Sequence, residues 1–312
     1  MTRNALPQIF IQSNRRQLIG ALVSAHALRR AAGHLPLPSI TVLQQEEFPF
    51  FARGQGQRYL RNGESWIWNN DDLQSFTPLR FLPPELMGYQ GRALVLDPDV
   101  FAVAPIEDLL GTEMNGHAIM CVSRPGHSGR PRYKASSVML LDCARLKHWQ
   151  CERHFLEMFA FERDYLLWIG LELEGNQSIG ELPPEWNHFD TLNRQTRMVH
   201  NTHRRTQPWK QGLPIEFTVS GGNSPLLFFP AARRLYRQMR RGGRYQPHPD
   251  RRQIDLFFGL LREAVEQGAI DTALLRREMA AEHLRADAIR CIERAPSVEE
   301  TLASVRGSAE AE

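Results

Sequence analysis

The chain has 312 residues, 42% of them apolar and 23% charged, enough for one large α/β domain or a catalytic domain with an appendage. A formal net charge of +3 argues against a nucleic-acid partner, and no apolar run approaches the ~20 residues that span a bilayer. The four cysteines (Cys121, Cys143, Cys151, Cys291) lack ligand spacing, and the N-terminus lacks a signal peptide's apolar stretch. Both features predict core cysteines in a reducing compartment, hence a cytoplasmic protein.

In chain order, Pro7 to Ser13 reads as a first strand. Asn14 is placed to cap a helix in which Leu18, Leu22, Ala25 and Leu28 recur at helical spacing up to Gly33. Ser39 to Gln44, rich in β-branched residues, predicts a second strand. This β-α-β opening suits a nucleotide-binding half-sheet but carries no GxGxxG. Residues 45–75 are polar, aromatic-rich and irregular, and predict a long loop that closes over a ligand or is ordinary surface. Phe76 to Leu82 predicts a helix with Pro78 in its first turn, ended by Pro83 and Pro84.

Arg92 to Val100 is the stretch on which the rest turns. Its continuous apolar run, opened by Gly91, predicts a buried strand of a parallel sheet ending in Asp97-Pro98-Asp99. Two carboxylates one residue apart at a strand's carboxyl end suit a divalent cation holding a diphosphate. Acidic residues also simply end strands and start turns, so the motif alone decides little. Pro98 stiffens the turn and removes one backbone donor.

Further on, Pro105 to Leu110 predicts a helical turn, Ala118 to Val122 and Ser136 to Cys143 predict strands, and Ile179 to Asn187 predicts a loop. Trp149, Phe155, Phe159 and Leu166 recur at helical spacing over 147–168. Met198 to His200 leads into Asn201 to Trp209. Eight arginines lie between Arg233 and Arg252, followed by amphipathic helices over 253–267 and 271–284 and a small, acidic end expected to fray. His117, His127 and His148 have no partner at ligand spacing.

Four of these stretches, in this order, resemble retaining glycosyltransferases of family 8 and their bacterial relatives. They are Thr77 to Phe81, Gly91 to Asp99, Ser136 to Cys143 with Ile179 to Asn187, and His200 to Trp209, and the match runs from residue 7 to about 215. The resemblance implies a GT-A-type α/β fold, with a Rossmann-like mixed sheet flanked by helices over residues 1–220. A helical C-terminal extension would follow over 221–312. It implies metal-dependent transfer of a hexose from a nucleotide diphosphate sugar, usually UDP-glucose or UDP-galactose, to an unspecified glycan, lipid or protein acceptor. Asp97, Asp99 and His200 would hold Mn2+ or Mg2+, with His203 as the competing imidazole three residues on.

Donor contacts would come from Gln12, Ser13, Arg80, Asp97, Ser136, Ser137, Gln207, Pro208, Trp209 and Lys210. Trp186 and Asn187 would touch the acceptor or fix a loop. Each has a plainer reading: Trp209 and Trp186 as packing, the two serines as small residues allowing close backbone approach. Two departures matter. The family's lysine before Pro-Trp is Gln207 here, with Lys210, Arg204 or Arg205 as candidate replacements for its charge. The family's Asp-Gln dipeptide is missing, with Arg163-Asp164-Tyr165 nearest to it, so no nucleophile is assigned. These departures keep open an inactive donor-binding relative. The Arg-rich 233–252 stretch reads as a solvated helix face, or as peripheral contact with anionic lipid or an anionic glycan.

Overall fold

A computed structural model describes residues 7–37, 39–126, 132–217 and 243–307. The elements run β1 (Gln8–Ser13), α1 (Leu18–Ala32), β2 (Ile40–Gln44), α2 (Phe50–Gly54), β3 (Arg58–Arg61), β4 (Glu64–Ile67), α3 (Pro83–Leu86) and β5 (Arg92–Leu96). They continue β6 (Val100–Ala102), α4 (Glu107–Gly111), β7 (Ile119–Arg124), β8 (Tyr133–Asp142), α5 (Cys151–Phe159), α6 (Tyr165–Ile169) and β9 (Ile179–Glu181). After these come β10 (His188–Phe189), β11 (Met198–His200), α7 (Arg251–Glu266), α8 (Thr272–Ala280), α9 (Ala288–Arg294) and α10 (Val298–Gly307).

The main sheet has six strands in the order β2-β1-β5-β8-β7-β9. β1 is parallel to β2 and β5, whereas β8 is antiparallel to both β5 and β7. The expected α/β mixed sheet flanked by helices, with a helical C-terminal part, is therefore present. The apolar run of β5 follows from its place in this sheet. Ala93 and Val95 join one core cluster and Leu94 and Leu96 the other, so every residue is buried on one side or the other. One cluster lies under α5, α6 and the aromatic residues of 48–82, and the other under α1. A third joins the opposite side of α1 to Phe101, Val199, Trp209 and the apolar faces of α7 to α10.

Several expectations need correction. The stretch 92–100 is two strands, β5 and β6, with the Asp-Pro-Asp turn between them, and β5 sits at the junction of parallel and antiparallel pairing. Residues 45–75 are not an irregular loop: they hold α2 and the β3–β4 hairpin. The missed signal is Asn62-Gly63, both at positive φ (53° and 71°), the dipeptide that a two-residue hairpin turn demands. The helix expected over 76–82 is a 3-10 helix, Thr77–Phe81, with Pro78 in its first turn, and it stops before Pro83; Pro83 and Pro84 also open α3, since a first-turn proline loses no intrahelical bond. Residues 147–168 break into α5 and α6, and 179–187 begins with β9, the sheet's edge strand.

At the far end, residues up to 307 are helical with Thr301 and Val305 buried, so only 308–312 of the expected frayed end lie outside the described residues. Of the Arg-rich stretch, 233–242 lies outside the described residues too. Among the described residues no helix is long and apolar enough to cross a membrane.

Candidate metal and donor site

The Asp-Pro-Asp turn sits where the central sheet hands over to a small second one, β10-β11-β6. β6 pairs antiparallel with β11, and the register sets His200 opposite Val100. His200 therefore flanks Asp99 because it is a cross-strand neighbour of the next residue. The backbone reinforces this, with Asn201 N–H donating to the Asp99 carbonyl at 3.0 Å. Asp97, Asp99 and His200 bring ligand atoms to within 4.8 Å of one another. His203 is not part of this group; its ring nitrogen pairs with the Thr206 hydroxyl at 3.1 Å.

Helix α1 buttresses the turn from below. Ser24 Oγ donates to the Val100 carbonyl at 2.6 Å. Gly20 lets the helix come close: a Cβ there would stand 2.8 Å from the Pro98 carbonyl oxygen and 3.3 Å from the Trp209 ring. Glycine is required here for space, not for an unusual φ.

The two carboxylates are held differently. Asp97 accepts from Arg80 Nη2 on both oxygens (2.8 and 2.5 Å) and from Arg80 Nε at 3.0 Å. Gln12 Nε2 also donates to it, and Ser137 O fixes its backbone N–H at 3.0 Å. Arg80 Nη1 is steadied by Ser136 Oγ at 2.7 Å, which itself donates to Ile169 O. Burial pushes the Asp97 carboxyl above the usual range; Arg80 works against that shift and the neighbouring Asp99 adds to it. Asp99 takes Gln207 Nε2 on Oδ2 at 3.1 Å and faces His200 Nε2 with Oδ1 at 3.2 Å. Gln17 Nε2 in turn donates to Gln207 Oε1 at 3.2 Å, a link with no signal in the sequence.

Asn187 explains what His200 can do. It is fully buried, its Nδ2 donates to Ser137 Oγ at 2.9 Å, and its Oδ1 lies 2.9 Å from His200 Nδ1. With the Asn187 amide placed so that Nδ2 donates to Ser137, Oδ1 accepts from His200 Nδ1–H and Nε2 is the ring nitrogen turned to the carboxylate. Asp99 Oδ1 and His200 Nε2 face each other at 3.2 Å. Something positive between them, a proton or a metal cation, makes that contact favourable. A carboxylate has about four acceptor sites, so Asp97 Oδ2 and Asp99 keep room for a cation beside their protein donors. Two carboxylates and one imidazole are a donor set that fits a Mn2+ or Mg2+ ion.

The remaining expected residues are placed as follows. Gln12 and Ser13 are fully buried at the end of β1, and Gln12 Oε1 has no partner among the described residues. Ser136 and Ser137 are committed to Arg80 and Asn187. Trp209 is fully buried, stacked on Phe257 at 4.8 Å, and Pro208 is buried beside it. Trp186 is buried under the Arg197 guanidinium.

Lys210 is 0% exposed and ion-paired with Glu216 at 2.5 Å, which also takes Arg16 at 2.6 Å. Burial pulls the Lys210 amine below its usual range, with Glu216 opposing. Lys210 is thus held inside the protein against Glu216. Arg204 donates to Gln74 and lies over Phe217 at 5.8 Å. Asp164 caps α6 through Leu166 N–H at 2.8 Å and holds the hairpin through Gly63 N–H at 2.8 Å.

No family model matches the chain. Protein CDI of Arabidopsis thaliana is 24% identical over 230 residues, covering 65% of this chain and 79% of that protein. Among solved structures, the chain is similar to the galactosyltransferase LgtC in complex with donor and acceptor sugar analogs, at 13% identity and a TM-score of 0.44, covering 66% of this chain and 90% of that one. It is also similar to apo glycosyltransferase GlyE of Streptococcus pneumoniae TIGR4, at 14% identity and a TM-score of 0.47, covering 79% of this chain and 66% of that one.

Proposed function

We propose that this protein is a GT-A-type glycosyltransferase that moves a hexose from a nucleotide diphosphate sugar, UDP-glucose or UDP-galactose, to an acceptor with retention at the anomeric carbon. The observation that carries the reading is the convergence of Asp97, Asp99 and His200, with ligand atoms within 4.8 Å of one another, at the carboxyl end of the central strand. A Mn2+ or Mg2+ ion held by Asp97, Asp99 and His200 would supply Lewis-acid charge neutralisation to a diphosphate leaving group.

The chain's own groups do the rest. Arg80, locked onto Asp97 and Ser136, keeps a guanidinium at the site for a donor oxygen. Asn187 holds His200 in one tautomer. Gln207 and Gln17 orient Asp99. In the transfer the anomeric C–O bond to phosphate breaks and a bond to the acceptor hydroxyl forms on the same face. The acceptor's proton passes to the departing phosphate oxygen, so no protein nucleophile is required.

The test is UDP release from UDP-sugars with Mn2+, using Asp97→Ala and Asp99→Ala as controls. Release equal in wild type and both variants would sink the assignment. A second reading, a donor-binding relative without transfer, is favoured by Gln207 and by the burial of Lys210 against Glu216. Calorimetry that finds UDP and Mn2+ binding, with no release on a broad acceptor panel, selects it. Peripheral membrane contact through 233–252 remains a separate proposal, tested by salt-dependent binding to anionic vesicles.

A further inference from the structure

Beyond the donor site, a cavity of about 240 Å³ opens between the β3–β4 hairpin, residues 69–75, α6 and Arg204. We propose that it is a carbohydrate subsite that takes one neutral pyranose ring, the acceptor's terminal sugar. Its position follows from the chain. Asn14, two residues beyond Gln12, donates to the carbonyls of Asp72 (3.2 Å) and Leu73 (3.5 Å) and to Ser75 Oγ (3.2 Å), so residues 72–75 lie against the ends of the strands that carry the donor site. On the other side Arg204 follows His200 by four residues, and α6 is tied to Arg80 through Ser136 and Ile169.

The walls suit a sugar. Tyr59, Trp68 and Tyr165 lock edge to face, with Trp68 5.4 Å from Tyr59 and 5.9 Å from Tyr165, giving a rigid aromatic backing. In front of it the Arg61 guanidinium lies 5.3 Å from the Trp66 ring and 5.0 Å from the Tyr165 ring. Trp66 is half-buried and lines the cavity with its ring, while its indole N–H is turned inward and finds no acceptor among the described residues. Ile67, 41% exposed, gives the rim an apolar edge.

The charges around the cavity balance, Arg61 and Arg204 against Glu64 and Asp72. Such a balance does not select a diphosphate, which would call for excess positive charge. The volume is below the ~300–1,000 Å³ of sites for larger ligands, which fits a single ring and not an oligosaccharide.

The assignment as acceptor site rests on the glycosyl-transfer reading; the binding of a sugar does not. The experiment is tryptophan fluorescence of the full chain, without nucleotide or metal, titrated with glucose, galactose, N-acetylglucosamine and lactose. UDP with Mn2+ is titrated separately by calorimetry. The expected result is a saturable response to at least one sugar, weakened about tenfold or more in Trp66→Ala and less in Trp66→Phe, with UDP affinity unchanged.

Trp66→Phe keeps a ring in the hairpin, and its circular dichroism reports whether the fold survives. No saturable response to any of the four sugars overturns the proposal. So does a folded Trp66 variant that weakens UDP as much as sugar, which would make the cavity the donor's base pocket. Sugar binding without UDP binding in the wild type would instead remove the transferase reading and leave the subsite standing.

Discussion

Two buried ionic clusters stand at opposite ends of the segment from His200 to Lys210, and they differ in what they leave unfinished. Around Lys210 two cations share one carboxylate: Glu216 takes both Lys210 and Arg16, and Lys210 is 0% exposed. Around Asp97 two carboxylates meet one guanidinium, and His200 turns Nε2 to Asp99. The first cluster has two cations to one carboxylate and leaves Arg16 Nε without a partner among the described residues, so a cation gains nothing there. The second is short of positive charge, and there an added cation gains most. The amine that a sequence comparison offers as a phosphate contact belongs to the first cluster; the group most in need of a cation is the second.

Substitutions should separate the two. Asp97→Ala is expected to lower Mn2+-dependent UDP release at least ~100-fold by removing a proposed metal ligand. It should also cost about 3 kcal/mol of stability by leaving Arg80 buried without its carboxylate, read as a drop in the urea midpoint. Lys210→Met should show the opposite pattern. Stability falls by about 2 kcal/mol, since Glu216 keeps Arg16, while UDP and Mn2+ affinities in calorimetry stay within about threefold of wild type. Loss of UDP binding in a folded Lys210→Met would erase the distinction.

Asn187→Ala probes the second cluster indirectly. Freed from its buried orienting partner, His200 should bind Mn2+ about 10–100-fold more weakly, measured by calorimetry on the folded variant. Gly20→Ala sets a methyl against the Pro98 carbonyl and should cost about 1–3 kcal/mol as the Asp-Pro-Asp turn shifts, with Mn2+ affinity falling alongside.

The smallest effect lies away from both clusters. Burial against Trp168 holds His154 down at about 4 against an ordinary 6.5, with Arg163 adding to the shift. Above pH 6.5 the ring is neutral whether the chain is folded or not, so it has no effect. Between 6.5 and 4 the unfolded chain takes up a proton that the folded one refuses. The window from 6.5 to about 4 corresponds to about 3 kcal/mol, and solvent near the ring reduces this, so stability should fall by about 1–2 kcal/mol, then level off. The difference between wild type and His154→Gln in thermal midpoint against pH reads this contribution; parallel curves would contradict it.

Much of the fold and part of the site could be read directly from the residues. The runs of β1, β2, β5, β7 and β8 are apolar because both faces of the central sheet are covered, and burial on two sides leaves a mark in composition. Asp97-Pro98-Asp99 stands out because two carboxylates at a strand end are costly without a partner. The hairpin at Asn62-Gly63 was equally readable from its turn dipeptide, and its aromatic neighbours obscured it. Pro83 and Pro84 gave only half their meaning, because proline marks a helix's start as well as the end of the one before it.

What the sequence by itself determined is therefore the central strands β1, β2, β5, β7 and β8 and the chemistry available at their ends. Tertiary structure alone decided the use of that chemistry. It placed His200 opposite Val100, set Asn187 behind the imidazole, gave Asp99 to Gln207, and turned Lys210 inward to Glu216. The physical reason is range. Apolar periodicity and turn chemistry act between neighbours along the chain, whereas a hydrogen bond is settled only when packing brings two distant groups to about 3 Å.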